Sequence, residues 1–206
     1  MNYRGSPGYG REFSLKGHKE IRGAIQRDID DATRWAIGKK IADPKRIAIV
    51  GTSYGGYSAL YAAGKSPELY RCAVSVCGVT DWFSLFHTLD EPEYKLSREY
   101  WVSEIGDPEK DEEKLKAISP LYFAARITAP VLIIQGKEDS IVPPKQARNM
   151  IAALERAGRK PESLFIADEG HGSLNEKGRI AEYKAIETFL AKHLGPATTD
   201  VAARKQ

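Results

Sequence analysis

The chain has 206 residues, of which 42% are hydrophobic and 29% are charged, and its formal net charge is +3. This composition is typical of an ordinary soluble globular protein, which needs no metal or disulfide to hold its core. The positive charge forms no basic block and no apolar run is long enough to cross a bilayer, so we expect neither a nucleic-acid partner nor a membrane partner.

The sequence contains two cysteines, Cys72 and Cys77. Their odd separation on one predicted strand would direct them to opposite faces, so we expect two buried free thiols and no disulfide between them. Free thiols, and first residues without a signal-peptide pattern, predict a cytoplasmic location.

Short apolar runs alternate with amphipathic segments along the chain. The runs at residues 47–50, 72–77, 131–135 and 163–167 predict strands, and their lack of polar alternation is typical of a parallel sheet buried on both faces. Helical periodicity predicts four helices, with apolar stripes at Ile21, Ile25, Ile29, Ala32 and Trp35; at Tyr57, Leu60 and Tyr61; at Ala147, Met150, Ile151 and Leu154; and at Ile180, Tyr183, Ile186, Phe189 and Leu190. The alternation predicts an α/β fold with right-handed crossovers.

Two parts of the chain depart from this alternation. Residues 80–120 are rich in aromatic and charged side chains and are predicted to form helical excursions over the carboxyl edge of the sheet. The glycine-rich loop at residues 2–10 has almost no strand before it. We therefore expect a partial domain at residues 1–195 whose N-terminal strands are missing, followed by a mobile tail at residues 196–206.

A candidate nucleophile lies between the first predicted strand and the second predicted helix. Gly51-Thr52-Ser53-Tyr54-Gly55 fits the Gly-x-Ser-x-Gly pattern in the strand–turn–helix context that this pattern requires. Glycines two positions before and after Ser53 are expected to let the strand and the helix approach closely. The start of the helix offers backbone N–H groups to an oxyanion.

A serine hydroxyl needs a base, and hydrolases of this architecture place the acid and then the histidine later in the chain. Of the four histidines, only His171 follows a predicted strand end, and Glu138 and Asp139 follow the strand before it. We favour Asp139 as the acid. Asp168 and Glu169 lie too close to His171 in sequence and are expected to be solvated.

These motifs give the chain a resemblance to the catalytic domain of the prolyl-oligopeptidase family of serine peptidases, especially its acylaminoacyl-peptidase and dipeptidyl-peptidase branches. The resemblance runs from Asn2 to about Leu194. It is carried by Asn2-Tyr3-Arg4-Gly5-Ser6 with Gly8-Tyr9-Gly10, by Asp43-Pro44, by Ser53-Tyr54-Gly55-Gly56-Tyr57, by Val79-Thr80-Asp81-Trp82, by Ser119-Pro120, by Asp139 with Val142-Pro143, and by Glu169-Gly170-His171.

The resemblance implies an α/β-hydrolase fold and acyl transfer through Ser53, Asp139 and His171, with short peptides or N-acylaminoacyl peptides as substrates and no cofactor or metal. It assigns the backbone N–H of Tyr54 to the oxyanion, and the phenol of Tyr9 is either a second donor or a loop-packing group. It places Val79 and Trp82 in an apolar pocket for the residue before the scissile bond, with Tyr100 and Trp101 as further candidates and plain core packing as the alternative.

The chain departs from the family pattern in several places. These 206 residues include neither the β-propeller domain nor the His-Gly-Gly-Pro segment that the resemblance leads us to expect before these motifs, and Gln135 stands where the family often has histidine. Loss of one oxyanion donor lowers turnover by roughly 10²–10³-fold, so we expect impaired activity. A carboxylesterase and a catalytically silent module that forms homo-oligomers through an exposed sheet edge are the alternative functions.

Overall fold

A computed structural model describes residues 1–21 and 23–195, and within them one sheet of four parallel strands forms the centre of the molecule. The strands, in the spatial order β1-β2-β3-β4, are β1 (Ala48–Thr52), β2 (Cys72–Val76), β3 (Val131–Gly136) and β4 (Glu162–Ile166). Each boundary lies within two residues of the prediction. The predicted mobile tail lies outside the described residues.

Eight α-helices and two short 3₁₀ helices surround the sheet in the described part of the chain. The α-helices are α1 (Arg11–Leu15), α2 (Ala24–Gly38), α3 (Tyr54–Lys65), α4 (Trp82–Thr88), α5 (Lys95–Ile105), α6 (Glu112–Ile118), α7 (Pro144–Arg156) and α8 (Glu176–Leu194). The 3₁₀ helices are Pro92–Tyr94 and Pro120–Arg126. None of the helices described has both the length and the apolar character of a membrane span.

The sheet is covered on two faces by different helices. Leu60 of α3 and Met150 of α7 pack with Ala73 and Ile133 on one face, whereas Phe189 of α8 packs with Val74 on the other. Every residue of β2 and β3 is buried, as their continuous apolar runs predict. In the described residues β1 is an edge strand, and 46% of the Val50 surface is exposed.

The apolar stripes predicted for α2 and α8 are only partly buried. Trp35 is 59% exposed and Tyr183 is 67% exposed. Part of the buried face of α2 is polar instead of apolar. There Asp30 accepts hydrogen bonds from Ser66 Oγ at 2.6 Å and from Tyr70 Oη at 2.9 Å. These bonds satisfy the buried carboxyl group, so the interior of this face does not need to be apolar.

Helices α4, α5 and α6 form a layer over the carboxyl end of β2, as the aromatic segment at residues 80–120 predicts. Trp82 and Phe86 from this layer pack with Tyr57 of α3, and Tyr57 and Trp82 lie in edge-to-face contact at 5.3 Å between ring centroids. The layer thus stands beside the turn that joins β1 to α3.

Candidate active site

Ser53 occupies the turn between β1 and α3, as its sequence context predicts. Its backbone has φ 58° and ψ −118°, a conformation that side-chain-bearing residues rarely adopt and that is concentrated at functional sites. Its N–H donates to the carbonyl oxygen of Val76 at 2.8 Å, which fixes the turn against the end of β2.

The glycines around Ser53 have different roles. A Cβ at Gly51 would lie 2.3 Å from the carbonyl group of Gly55, and a Cβ at Gly56 would lie 2.8 Å from the Cα of Gly78. A Cβ at Gly55 would meet no atom within 4 Å. The close-approach explanation therefore holds for Gly51 but is wrong for Gly55, whose backbone is the neighbour that Gly51 must accommodate.

Ser53, His171 and Asp139 are joined by hydrogen bonds. His171 Nε2 lies 2.8 Å from Ser53 Oγ, and His171 Nδ1 lies 2.9 Å from Asp139 Oδ2. Asp139 comes from the loop after β3 and His171 from the loop after β4. Because parallel strands end at one edge of the sheet, these loops meet the turn after β1 there. Glu138, the alternative acid, is exposed.

The carboxyl group of Asp139 is buried and fully engaged. Its Oδ1 accepts from the backbone N–H of Ile141 at 3.0 Å and of Val142 at 2.9 Å, and its Oδ2 accepts from Gln135 Nε2 at 2.9 Å. Burial raises the pKa of Asp139, but the hydrogen bonds from His171, Val142 and Gln135 outweigh burial and lower that pKa below its ordinary value. The carboxylate is therefore ionised at neutral pH.

Glu169 stabilises the loop that carries His171. Its carboxylate accepts from the backbone N–H of Leu174 at 2.9 Å and of Asn175 at 3.1 Å, and only 2% of the residue surface is exposed. The prediction of a solvated charge is wrong for Glu169, although Asp168 is exposed. The backbone after His171 thus folds back onto the Glu169 carboxylate before it. Strand and helix patterns do not indicate this contact.

The other histidines contact carboxylates elsewhere. His18 Nδ1 lies 2.6 Å from Glu104 Oε1, and His87 Nδ1 lies 3.8 Å from an oxygen of Asp90. His193, near the end of α8, lies 3.7 Å from Glu162. Of the four histidines, the structure brings His171 to Ser53.

An apolar cavity of about 100 Å³ adjoins Ser53, and Val79 and Trp82 both line it. The two side chains are also buried in the adjacent core cluster, so the pocket and packing alternatives are compatible. Trp101 lines this cavity and also a neighbouring cavity of about 400 Å³. Tyr100 lines only the larger of these two.

The two predicted oxyanion groups lie in different settings. Tyr54 is the first residue of α3, where helix N–H groups lack intrahelical acceptors, and its phenol donates to the carbonyl oxygen of Ile21 at 3.4 Å. Burial raises the pKa of the Tyr54 phenol. Tyr9 is 58% exposed, its hydroxyl contacts Asn2 Nδ2, and its ring packs against Phe13.

Cys77 lies close to the Asp139–His171 pair, with its sulfur within 4.8 Å of a ligand atom of each. Strand β2 ends at Val76, and Cys77 turns into the left-handed region with φ 47°. The prediction of opposite faces is therefore wrong, because Cys72 and Cys77 belong to one buried cluster. Both are free thiols, and burial raises the pKa of the Cys77 thiol to about 11.

A parallel α/β sheet with a serine at a strand-to-helix turn, hydrogen-bonded to a histidine and an aspartate from later strand ends, is the arrangement of the α/β-hydrolase class of serine hydrolases. Comparison with known proteins narrows this class. The model of the prolyl oligopeptidase family matches residues 1–197, so the chain belongs to this family.

Individual relatives agree with the family assignment. Dipeptidyl peptidase family member 6 of Caenorhabditis elegans is 36% identical over 202 residues, which are 96% of this chain and 27% of that protein. A puromycin-hydrolyzing peptidase of Mycobacterium tuberculosis has a TM-score of 0.88 at 29% identity, over 95% of this chain and 29% of that one. The acylaminoacyl peptidase of Pyrococcus horikoshii has a TM-score of 0.84 at 27% identity, over 96% and 32% of the two chains. The chain thus spans less than a third of each of these relatives.

Proposed function

We propose that this chain is the hydrolytic part of a serine-type peptidase that acts on short peptides or N-acylaminoacyl peptides through an acyl-enzyme. The observation that carries the proposal is the chain of two hydrogen bonds, 2.8 Å from Ser53 Oγ to His171 Nε2 and 2.9 Å from His171 Nδ1 to Asp139 Oδ2. The first distance is within the range needed for proton transfer, and the second is that of a hydrogen bond that orients the imidazole.

Asp139 determines which nitrogen of His171 carries the proton. Because the carboxylate is ionised and only accepts, Nδ1 bears the proton and its N–H donates a hydrogen bond to Asp139, leaving the Nε2 lone pair directed at the Ser53 hydroxyl. His171 takes the hydroxyl proton as Ser53 attacks the scissile carbonyl carbon, and passes it to the leaving amine as the C–N bond breaks. Water, activated by the same imidazole, then releases the acyl group.

The negative charge on the carbonyl oxygen needs donors during both steps. We assign one to the backbone N–H of Tyr54 at the start of α3, where the helix dipole also favours an anion. The phenol of Tyr9 is the candidate for the second. Replacing Tyr9 by Phe should then lower kcat by roughly 10²-fold or more, whereas a purely loop-packing Tyr9 predicts a change in stability alone.

The cavity beside Ser53 supports a preference for an apolar residue before the scissile bond. Its walls include Val79, Trp82 and Leu85, and the larger cavity that shares Tyr54 and Trp101 with it offers room for the rest of a short substrate. The relatives include a dipeptidyl peptidase family member and an acylaminoacyl peptidase, and these names agree with substrates of this size.

A fluorophosphonate probe tests whether Ser53 is a nucleophile. We expect the folded chain to be labelled, and expect Ser53→Ala to abolish labelling and to lower hydrolysis at least about 10⁴-fold. An unlabelled wild-type chain with an intact circular dichroism spectrum would leave only the silent-module alternative.

Paired substrates then test the peptidase assignment. The rates for a p-nitrophenyl ester are compared with those for aminoacyl and N-acylaminoacyl amides that carry the same apolar side chain. Turnover of the amides supports the proposal, whereas turnover of the ester alone, lost equally in Ser53→Ala, would make the chain a carboxylesterase.

A further inference from the structure

A thiol, a carboxyl group and an imidazole, all of which can bind a metal ion, lie close together near Ser53. One ligand atom from each of Cys77, Asp139 and His171 lies within 4.8 Å of the other two. Cys77 is 1% exposed and Asp139 is 3% exposed, so two of the three are shielded from bulk water. The thiol donates to the carbonyl oxygen of Gly170 at 3.9 Å, a long and weak hydrogen bond that an ion could replace.

We propose that Cys77, Asp139 and His171 form an inhibitory site for a thiophilic divalent cation of the zinc type. Thiolate, imidazole and carboxylate are the donors that Zn²⁺ takes in proteins, with bond lengths of about 2.0–2.3 Å. Ligand atoms around such a tetrahedral ion lie about 3.3–3.6 Å apart. The ion would take the place of the proton between His171 Nδ1 and Asp139 Oδ2, which are 2.9 Å apart and would separate slightly, while the sulfur of Cys77 would move closer. A water molecule would complete the coordination. Cys77 and Asp139 are 62 residues apart in sequence, and Asp139 and His171 are 32 residues apart. Metal-binding sequence motifs have ligands only a few residues apart, so the sequence does not indicate this site.

Sequestration of Nδ1 would disable the proposed base. His171 Nδ1 is the ring nitrogen that faces Asp139, and Nε2 faces Ser53. When the ion binds Nδ1, the ring proton moves to Nε2 through solvent, and Cys77 releases its thiol proton, so one proton leaves for each ion bound. Nε2 then presents an N–H to Ser53 and has no lone pair to accept the hydroxyl proton. This inhibitory effect rests on the proposed function, whereas ion binding itself does not.

The route to the site is through His171. Its side chain is 24% exposed, whereas that of Asp139 is fully buried. We therefore expect an ion to reach Cys77 when the imidazole swings outward, and we expect inhibition to develop over time rather than at mixing. Hard cations such as Mg²⁺ prefer oxygen ligands and should not inhibit at the same concentration.

The test combines a direct binding signal with activity. Cd²⁺, which takes the same ligands as Zn²⁺, is titrated into the metal-free chain while the thiolate-to-metal charge-transfer absorption is recorded, and ester hydrolysis is followed with Zn²⁺. The variants are Cys77→Ser, Cys77→Gly, which suits the left-handed backbone at this position, and His171→Ala. Cys72→Ser is the matched control, since Cys72 is equally buried in the same cluster. Circular dichroism verifies folding of each variant.

We expect one equivalent of Cd²⁺ to give a thiolate band in wild type and in Cys72→Ser, and expect the Cys77 variants to lose it. Loss of a direct ligand should raise the inhibitory Zn²⁺ concentration at least about tenfold, since even outer partners of metal ligands contribute that much. Persistence of the band in both Cys77 variants, or equal Zn²⁺ sensitivity in them and in wild type, would overturn the proposal. A band without any esterase activity in the metal-free chain would instead refute the proposed function and leave the metal site standing.

Discussion

Gln135 Nε2 donates to Asp139 Oδ2 at 2.9 Å, the same oxygen that faces His171 Nδ1. The amide also donates to the carbonyl oxygen of Val142 at 3.1 Å. One buried side chain of β3 therefore holds two residues of the loop that follows this strand, Asp139 and Val142. The resemblance to the family implies a histidine at this position, and both residue types present an N–H donor. The substitution therefore preserves a donor behind the carboxylate.

Replacing Gln135 by Leu should lower kcat about tenfold and leave KM nearly unchanged, because the side chain holds Asp139 and contacts no substrate. A hydrogen bond to a charged group contributes about 1.5–3 kcal/mol, and part of it should appear in the barrier. Gln135→His, which again places an N–H donor next to Asp139, should recover most of the lost kcat and give a pH dependence of kcat like that of wild type. If Gln135→Leu keeps wild-type kcat, or if histidine recovers nothing, Gln135 does not position Asp139.

How far the sequence predicts the site depends on how local each signal is. Ser53 and His171 stand in short motifs at strand ends, and the parallel topology brings those ends together, so their convergence is predictable. Gln135, Glu169 and Cys77 carry no such motif. Their roles arise where loops from different strand ends meet, and an apolar-run analysis reads Gln135 and Cys77 simply as strand residues.

The fold shows the same division. Continuous apolar runs predict β2 and β3 because these strands are buried on both faces. Periodicity fails on α2, where Asp30 is buried by partners about 36 and 40 residues away, Ser66 and Tyr70. A rule that equates polarity with exposure cannot anticipate partners supplied by a distant segment.

The glycines of the nucleophile turn should differ in their tolerance of alanine. Gly51→Ala should prevent folding or lower Tm severely, because its Cβ would lie 2.3 Å from backbone atoms that cannot move away. Gly55→Ala should fold with nearly wild-type Tm, since its Cβ meets nothing within 4 Å. Gly38→Ala, equally unobstructed at the end of α2, is the control for helix propensity. Thermal unfolding distinguishes the three, and equal Tm values for the Gly51 and Gly55 variants would contradict this assignment.

Glu169→Gln should destabilise the His171 loop while preserving side-chain size. The amide offers one acceptor where the carboxylate offers two, and its NH₂ would face a backbone N–H, so we expect a loss of about 1–3 kcal/mol in the free energy of unfolding. Glu138→Gln, the exposed carboxylate of the neighbouring loop, should change stability by less than about 0.5 kcal/mol. Urea unfolding measures both, and similar losses in the two variants would mean that Glu169 is no anchor.

Acid should weaken the attachment of the N-terminal loop to α2. Asp28 accepts from the Arg4 backbone N–H at 3.0 Å and from its guanidinium Nε at 2.7 Å, and the Arg4 side-chain hydrogen bond holds the pKa of Asp28 below its ordinary value. A carboxyl group whose pKa is lower in the folded chain stabilises the fold above its unfolded pKa of about 4 and loses that contribution as the pH falls through the folded pKa.

Asp28→Asn should therefore have a lower Tm than wild type at pH 7, and the difference should shrink below about pH 4, when the wild-type carboxyl group also becomes neutral. Asp139 has a lowered pKa in both chains, so its own acid-dependent loss cancels in the comparison. Asp31→Asn is the control, because Asp31 is 73% exposed and its Arg34 contact is 3.7 Å long. Tm is measured from pH 2.5 to 7 for the three chains. A difference between wild type and Asp28→Asn that stays constant down to pH 3 would show that the ionised Asp28 does not hold the loop, since neutral Asp and Asn differ little in charge or size.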